Sequence, residues 1–427
     1  MSSYLLGLEC RGCGRVLPAE PTSICDECYS PVEPCYDYNA LRGKLTREVL
    51  QSRPRDMWRY AELLPLRREP QARLPVGGTP LIEARNLGRA LGHRALYIKN
   101  DSMNYPTLSF KDRVVSVALN AALEFGYDTL ACSSTGNLAN AVAAQAARAG
   151  IKAVVFVPAD IEDAKLTASR IYGATVIRVQ GNYDAVNRLC TQISQERRWA
   201  FVNVNFRPFY AEGSKTVGYE IAEQLGWKLP GAVVVPMAGG SLIGRIRKSF
   251  SELAYLGIVE DDAREVRICG AQASGCAPIA RAVETGRAEI TPERPDTIAR
   301  SLAIGNPADG PFAARAIRES GGSAAHATDE ELIEGIRLLA STEGIFAETA
   351  GGVTVAAFQK LMAQGAIDPD QPAVLVITGN GLKTAEAVAN VGGEVFLIPP
   401  KLREFDRVYA GSASQAAQEQ AAQELVA

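Results

Sequence analysis

The chain has 427 residues, 47% of them hydrophobic and 22% charged, values typical of a globular protein with two or three domains. Its 45 Lys and Arg residues nearly balance 48 Asp and Glu residues, so the composition indicates no basic surface for nucleic acid or an anionic membrane. No apolar run reaches the roughly 20 residues that span a bilayer, and the N-terminus lacks signal-peptide features. We therefore expect a cytoplasmic protein that acts on small molecules. Its only histidines, His93 and His326, have no ligand-like or triad-like neighbours in the sequence, which disfavours histidine-based catalysis.

Four of the nine cysteines form a paired motif near the N-terminus. Cys10, Cys13, Cys25 and Cys28 have the spacing C-x2-C-x11-C-x2-C. In a chain without a secretion signal this spacing indicates tetrahedral zinc, because thiolates two residues apart can bind one ion at about 2.3 Å. Four thiolates leave no open coordination position, so we expect a structural zinc ribbon over residues 1–40. A degenerate ribbon that binds no metal is the alternative.

After a helical connector at residues 47–65, the sequence alternates between helical patterns and short β-branched runs. This alternation is typical of parallel sheets that are covered by helices, with functional loops at the carboxyl ends of the strands. The helices are predicted at residues 111–125, 137–149, 161–172, 183–198, 212–226, 329–343 and 352–364. The strands are predicted at residues 129–134, 152–158, 175–181, 200–204, 232–236, 266–273 and 373–379.

The segment SFKDR places a lysine at the start of the first of these helices. Ser109 followed by Asp112 fits a capping pattern, so Ser109 is predicted as the N-cap and Lys111 lies in the first turn. The positive end of the helix dipole disfavours an ammonium group there, and Phe110 helps to desolvate it. Lys111 is therefore predicted to react as a neutral amine, although a solvated surface lysine is the simpler interpretation of this segment alone.

Three strand ends carry loops that suit an oxygen-rich ligand. The first presents hydroxyl and amide groups at a helix N-terminus, and the second is a Gly-rich run that can wrap a phosphate. The third ends a strand with a hydroxyl group. Taken alone, the Gly-rich run is equally consistent with a tight packing turn. The residues are Ser134, Thr135 and Asn137 in the first loop, Ala238, Gly239, Gly240, Ser241 and Leu242 in the second, and Thr378 in the third.

A reactive lysine, an amide, a phosphate loop and a hydroxyl group together fit one cofactor, pyridoxal 5'-phosphate. Lys111 would bind its aldehyde and the loop around Gly239 would bind its phosphate. Asn137 would contact the 3'-oxygen of the ring, and Thr378 would contact the pyridine nitrogen. Lys111 lies in the first turn of a helix, where an ammonium group is disfavoured. This position is explained if the neutral amine of Lys111 bonds to the cofactor.

The motifs SFKDR, SSTGN, GGSL, DTIARSLAIGNPADGP, AETAGG and VITGNGLK together resemble the threonine synthase family of fold-type-II pyridoxal-phosphate enzymes, in the branch with an N-terminal zinc ribbon. The resemblance extends from the ribbon to about residue 400. It implies an α/β, tryptophan-synthase-β-like fold with two open parallel-sheet domains, and a homodimer. The implied boundaries are 1–40 for the ribbon, 41–115 and 210–400 for the large cofactor-binding domain, 116–209 for the small domain and 401–427 for the tail.

The resemblance further implies a carbon–oxygen lyase that converts O-phospho-L-homoserine and water into L-threonine and inorganic phosphate by β,γ-replacement. In this family an Asn/Ser/Arg loop binds the phosphate of the substrate. The corresponding segment here is NVNFRPFYAEGSK, and its spacing departs from the commonest form. The candidate substrate-binding residues are Ser134, Thr135, Asn203, Asn205, Arg207 and Lys215.

Two other functions are compatible with the sequence. Another fold-type-II lyase, such as a threonine or serine dehydratase or a synthase of cysteine or cysteate, would share the cofactor residues. The loop around Arg207 distinguishes these activities, because a dehydratase has no need for cations opposite the phosphate of the cofactor. A non-catalytic zinc-ribbon binding protein with a relict cofactor fold is the third hypothesis, and the intact Lys111 argues against it.

Overall fold

The computed structural model describes residues 3–159, 161–181 and 183–409, and within them the strands form three sheets. The chain divides into one unit of Met1–Ala387 and a second unit of Val388–Ala427. The strands are β1 (Leu5–Cys10), β2 (Val16–Leu17), β3 (Val32–Tyr36), β4 (Leu81–Glu83), β5 (Leu96–Asn100), β6 (Thr129–Ser133), β7 (Lys152–Pro158), β8 (Thr175–Val179), β9 (Ala200–Phe201), β10 (Ala232–Pro236), β11 (Arg267–Ala273), β12 (Ala324–Ala327) and β13 (Ala373–Ile377).

The helices follow the strands in alternation from β5 onward. The α-helices are α1 (Tyr38–Leu41), α2 (Arg47–Gln51), α3 (Arg85–Leu91), α4 (Lys111–Glu124), α5 (Asn137–Ala149), α6 (Asp163–Arg170), α7 (Tyr183–Glu196), α8 (Arg207–Glu212), α9 (Lys215–Gln224), α10 (Ser241–Tyr255), α11 (Pro278–Glu284), α12 (Gly310–Glu319), α13 (Asp329–Glu343) and α14 (Thr349–Ala363). Short 3-10 helices occupy Met57–Leu63, Asp101–Met103, Arg300–Leu302, Gly381–Lys383 and Ala385–Val388.

The N-terminal sheet is antiparallel, with the strand order β2-β1-β3. Its core contains Leu8, Val32 and two of the four motif cysteines, Cys10 and Cys25, all of which are buried. A core this small buries little apolar surface, and domains below about 40 residues usually need a metal, disulfides or a partner surface.

The second sheet is parallel and is built from one continuous stretch of chain, residues 129–201, in the order β8-β7-β6-β9. All five residues of β6 are buried, as expected for a central parallel strand with helices packed against the sheet. Helix α5 packs against α4 and against both β6 and β7. The carboxyl end of β6 opens into the loop that holds Ser134 and Thr135.

The third sheet has the order β12-β11-β10-β13-β5-β4, and all its pairings are parallel except that of β4 with β5. Every residue of β10 and β13 is buried. Because β10, β13 and β5 are neighbours and run in the same direction, the loops at their carboxyl ends meet at one edge. These are the Gly-rich loop, the Thr378 loop and the segment that leads to Lys111.

Most predicted elements lie within a few residues of the observed ones, and α5 and α13 have the predicted bounds. The helix predicted at 212–226 is wrong in its bounds, because the chain forms α8 and α9 with a break at Gly213. A Cβ atom at Gly213 would lie 2.6 Å from the Arg113 carbonyl oxygen, so this break lets the backbone approach α4 closely. The 47–65 connector likewise forms two short helices, α2 and Met57–Leu63, separated at Pro54.

In the second unit, residues 402–409 are helical, and the rest of the predicted 401–427 tail lies outside the described residues. Across the part of the chain that the structure describes, no helix has both the length and the apolar character to cross a membrane.

Candidate active site

Lys111 is the first residue of α4, and the predicted cap before it is wrong. Phe110 occupies the N-cap position without a side-chain cap bond, and the buried Oγ of Ser109 has no hydrogen-bond partner among the described residues. The reason is a long-range pairing, since the Phe110 amide donates to the Thr378 carbonyl at 2.9 Å and Ser109 bridges Gly379. The backbone before Lys111 is therefore fixed by the carboxyl end of β13.

The carboxylate of Asp112, predicted to complete the cap, instead stabilises the preceding loop. It accepts hydrogen bonds from the Thr107 amide at 3.0 Å and from the Thr107 hydroxyl at 2.9 Å. Burial raises the pKa of Asp112 to about 6, although the Thr107 bonds oppose that rise. The end of the loop that precedes α4 is thus held both by Asp112 and by the carboxyl end of β13, which positions the lysine.

The Lys111 amine lies in a half-buried aromatic setting. Its Nζ atom donates to the Tyr210 hydroxyl at 2.8 Å and lies 4.6 Å from the centre of the Phe110 ring. Tyr210 belongs to α8, a helix that packs against α4. Phe110 was predictable as a neighbour of Lys111 from the sequence, but Tyr210 was not, because its contact spans 99 positions of the chain.

A buried carboxylate that sequence analysis missed, Glu348, joins two of the predicted site residues. Its Oε2 atom accepts from Asn137 Nδ2 at 2.8 Å, and its Oε1 atom accepts from the Thr378 hydroxyl at 3.3 Å. Lys383 Nζ donates to Asn137 Oδ1 at 2.8 Å from the other side. Burial raises the pKa of Glu348, and the Asn137 bond and the Lys383 charge oppose that rise. The only sequence signal was an acid directly before the helix in AETAGG.

The Gly-rich loop has the geometry of an anion cradle. It connects β10 to the 15-residue helix α10, and Gly240 is in the left-handed region with φ 89°. A Cβ atom at Gly240 would lie 3.0 Å from the Asp309 carbonyl oxygen, so a larger residue would be strained there. Ser241 begins α10, and the amides of its first turn together with the helix dipole favour a phosphate.

Among the candidate substrate residues, Asn203 lies at the carboxyl end of β6 beside the Ser134–Thr135 loop. Its Nδ2 atom donates to the Ser133 hydroxyl at 3.0 Å. Its Oδ1 atom is buried and, within the described chain, has no hydrogen-bond partner. Ser134 and Thr135 are half-buried. A buried amide oxygen without a donor indicates a place where a ligand or water completes the bonding.

The other three candidate substrate residues, Asn205, Arg207 and Lys215, have different surroundings. Arg207 begins α8 and is partly exposed, and its Nη2 atom donates to Asp309 Oδ2 at 2.6 Å. Asn205 holds a turn, because it accepts from the Phe201 amide and donates to the Trp199 carbonyl.

Lys215 is fully buried, with its Nζ atom 2.7 Å from Glu212 and 2.9 Å from Glu252. The structure therefore leaves Asn203 and Arg207 available for a ligand and uses Asn205 and Lys215 internally.

The residues of this site fit the predicted cofactor, pyridoxal 5'-phosphate. The crevice combines an amine, a glycine-lined helix N-terminus and two buried polar atoms, Ser109 Oγ and Asn203 Oδ1, that have no partner among the described residues. Polar groups of this kind are rarely left unsatisfied. A phosphorylated aromatic aldehyde would occupy the cradle and reach Lys111.

The four motif cysteines converge in the ribbon. Their Sγ atoms all lie within 4.8 Å of one another, with Cys10 and Cys28 3.3 Å apart and Cys13 and Cys25 3.9 Å apart. Thiolates at about 2.3 Å around a tetrahedral ion are about 3.8 Å apart, so the cluster has the right size for one such ion.

The fold gives His326 two polar neighbours that are distant in the sequence. Its Nδ1 atom lies 2.8 Å from the Ser274 hydroxyl, and Glu284 lies 3.7 Å from Nε2. The contacts join residues 42 to 52 positions apart, which no local pattern signals. Lys360 also bonds the His326 carbonyl, so the group ties the end of β12 to its neighbours.

Comparisons with known proteins identify the family of this chain. The family described as "Pyridoxal-phosphate dependent enzyme" matches residues 72–379. The threonine synthase of Methanocaldococcus jannaschii is 38% identical over 402 residues, which cover 93% of this chain and 98% of that protein. The threonine synthase of Methanosarcina acetivorans is also 38% identical and covers 95% of this chain and 99% of its own length.

Solved structures show the same fold at lower identity. A threonine deaminase from Solanum lycopersicum aligns with a TM-score of 0.61 at 23% identity, over 74% of this chain and 83% of that one. A diaminopropionate ammonia lyase from Escherichia coli aligns with a TM-score of 0.62 at 19% identity, over 74% and 88%. This chain therefore belongs to the threonine synthase family of the fold-type-II pyridoxal-phosphate-dependent enzymes.

Proposed function

We propose that this protein is a threonine synthase that converts O-phospho-L-homoserine and water into L-threonine and inorganic phosphate. The observation that carries the proposal is the position of Lys111 at the carboxyl edge of β5, β13 and β10, in a chain 38% identical to threonine synthases over nearly its whole length. We infer that Asn203 and Arg207, which shares helix α8 with the Lys111 partner Tyr210, provide a second polar region for a phosphorylated amino acid.

The cofactor, pyridoxal phosphate, supplies an electron sink for the substrate when it is bound. We assign its aldehyde to Lys111 and its 3'-oxygen to Asn137, which Glu348 and Lys383 hold in place. Thr378 is assigned to the pyridine nitrogen. The phosphate is assigned to the loop that consists of Ala238, Gly239, Gly240, Ser241 and Leu242.

Lys111 is also the group placed to move protons once its amine is free. Tyr210 holds Nζ by a 2.8 Å hydrogen bond, which orients the amine and gives a proton a path to the hydroxyl group. We propose that Lys111 takes protons from, and returns them to, carbon atoms of the substrate. The half-buried setting between Phe110 and Tyr210 limits access of water to this amine.

We propose that Arg207 and Asn203 bind the phosphate of the substrate, with Ser134 and Thr135 adding hydroxyl groups. A guanidinium group with an exposed edge is suited to bidentate phosphate binding. Asn205 and Lys215 are left out of this assignment, because the first holds a turn and the second is fully buried in ion pairs.

The test is phosphate release from O-phospho-L-homoserine by the purified holoenzyme, with amino-acid analysis of the product. We expect threonine and phosphate in equal amounts. L-Serine and L-threonine are the comparison substrates, and ammonia release from either, without turnover of the phosphorylated substrate, would establish a dehydratase instead.

Replacing Glu348 with glutamine is expected to weaken cofactor retention and to lower activity by about tenfold or more. The amide keeps the shape but removes the buried negative charge near Lys383 and turns one acceptor into a donor. Either the Asn137 amide then meets a donor, or the Thr378 hydroxyl must reverse its hydrogen bond. Cofactor affinity, measured by reconstitution of the apoenzyme, is the readout. Glu331→Gln, at a half-exposed ion pair with Lys360, is the control and should bind the cofactor normally. Normal affinity in Glu348→Gln would contradict the role assigned to this carboxylate.

We also propose that the ribbon binds one structural Zn²⁺ per chain through Cys10, Cys13, Cys25 and Cys28. Elemental analysis should give about one zinc per chain, and Cys28→Ser should lose most of it, because three thiolates hold zinc less tightly than four. Cys35→Ser is the matched control, since Cys35 lies in β3 outside the thiol cluster. Equal zinc content in Cys28→Ser would rule this site out.

A homodimer and a cytoplasmic location complete the proposal. The family resemblance supports the dimer, and the thiol cluster supports a reducing compartment, where such cysteines stay available for metal.

A further inference from the structure

We propose that Arg11, in the ribbon, is a positioning residue for Arg207 and acts through the carboxylate of Asp309; this rests on the proposed role of Arg207 in binding the phosphate of the substrate. One carboxylate contacts both guanidinium groups. Arg11 Nη1 lies 3.3 Å from Asp309 Oδ1, and Arg207 Nη2 lies 2.6 Å from Asp309 Oδ2. The Asp309 side chain thereby links Arg11 of the ribbon to Arg207 of the site.

Arg11 is held firmly at both of its ends. It lies between Cys10 and Cys13, and its amide donates to the Pro31 carbonyl at 2.9 Å. Its guanidinium carbon lies 3.5 Å from the centre of the Phe312 ring on α12, a close stacking contact. The folded knuckle therefore determines where this charge is located.

Asp309 is equally fixed, and its backbone belongs to the cofactor cradle. Its amide donates to the Gly239 carbonyl at 3.0 Å, and its carbonyl oxygen is one of the atoms that disfavour a side chain at Gly240. The carboxylate is only 12% exposed, so the charge that it carries is poorly screened by water. A shift of Asp309 would act on Arg207 and the phosphate loop together.

Further contacts join the ribbon to the same helix as Arg207. Tyr36 in β3 donates to Glu212, the last residue of α8, at 2.8 Å. Arg245 bonds both Glu212 at 2.8 Å and Glu33 of the ribbon at 2.5 Å. The ribbon thus contacts α8 at its carboxyl end directly, and it reaches the amino end through Arg11 and Asp309.

The charges predict the direction of the effect. Asp309 beside Arg207 attracts its guanidinium group and would repel an incoming phosphate. Arg11 compensates that negative charge and lets Arg207 bind a second anion. Without Arg11, Arg207 is the remaining ion-pair partner of Asp309 within the described residues, and the substrate should bind more weakly.

The test compares Arg11→Met and Arg11→Lys in the wild-type and Asp309→Asn backgrounds. Arg11→Met should raise KM for O-phospho-L-homoserine about five- to tenfold with kcat within about twofold, and Arg11→Lys should restore most of the affinity. With Asp309→Asn the effect of Arg11→Met should fall below about twofold, because no charge is left to compensate. Arg15→Met is the control, since Arg15 pairs with Asp26 and Glu27 within the ribbon.

An equal effect of Arg11→Met in both backgrounds, or the same loss in Arg11→Lys, would overturn the proposal and assign Arg11 to packing alone. If wild-type enzyme releases no phosphate from the substrate, the proposed function fails instead. The variants are then compared by calorimetric binding of inorganic phosphate to the holoenzyme, which also serves if Asp309→Asn turns over too slowly. The positioning role is supported if Arg11→Met weakens phosphate binding in the wild-type background but not in the Asp309→Asn background. It is contradicted if Arg11→Met and wild-type enzyme bind phosphate with equal affinity.

Discussion

Replacing Lys111 with alanine is expected to lower kcat for phosphate release at least about a thousandfold, because one residue provides both the covalent attachment and the proton transfer. The cofactor should still enter the crevice, since Asn137, Thr378 and the Gly-rich loop are unchanged. Its absorbance should resemble that of the free aldehyde rather than that of the lysine-bound form. Single-turnover phosphate release and the absorbance spectrum together measure this outcome.

Lys152→Ala is the matched control, because Lys152 is an exposed lysine at the start of β7. This variant should retain full activity and a normal cofactor spectrum. If Lys111→Ala keeps more than about a tenth of the wild-type rate, another group performs the chemistry and the central assignment is wrong.

Replacing Arg113 with methionine is expected to have the largest effect on stability, about 3–5 kcal/mol of the free energy of unfolding. The guanidinium group is fully buried two residues after Lys111, and it bonds both Asp101 and Glu220 at 2.6–2.8 Å. Lys99 bonds Glu220 from the other side. Without Arg113, two buried carboxylates share one remaining cation, and uncompensated buried charge is costly.

The denaturation midpoint in urea measures this change. Arg247→Met is the matched control, because Arg247 pairs with Glu319 at 2.6 Å on the surface of α10, and such pairs contribute about 1 kcal/mol or less. A loss in Arg113→Met no larger than in Arg247→Met would show that the buried network adds little to stability.

The same network gives the wild-type protein an acid-sensitive component of stability. Burial alone would raise the pKa of Glu220, but Arg113 and Lys99 hold it at about 2, below the ordinary 4.5. A lowered carboxyl pKa contributes stability that is present above pH 4.5 and is lost as the pH falls toward 2. Arg113→Met should reduce this dependence, because Glu220 then keeps only Lys99 as a compensating cation.

Patterns that depend on near neighbours in the sequence were sufficient for much of the fold. The bounds of α5 and α13 follow from apolar periodicity and from the glycines Gly150 and Gly344 that end them in the left-handed conformation. The capping pattern of Ser109 failed for the opposite reason. The backbone there pairs with Thr378 and Gly379, about 270 positions away, and that pairing determines the conformation.

The site residues also divide into those with a local sequence signature and those whose role depends on long-range contacts. Lys111, Asn137 and the loop at Gly240 have local signatures, because each begins a helix after a strand or a glycine turn. Glu348 has almost no signature, since its importance depends on which loops face it. The family resemblance offered Lys215 as a substrate residue, but only long-range packing reveals that Glu252 pairs with it in the interior.

The order of strands in the largest sheet bears on how the protein is made. Strand β13 lies between β10 and β5 but is the last strand of this sheet to leave the ribosome, whereas the β6–β9 sheet is complete once residue 201 has emerged. Until β13 has emerged, the edges of β5 and β10 that face it have no partner, and the backbone before Lys111 cannot pair with Thr378 and Gly379. A nascent chain that stalls before residue 373 would thus expose unpaired strand edges at the centre of the molecule and be a target for chaperones or aggregation.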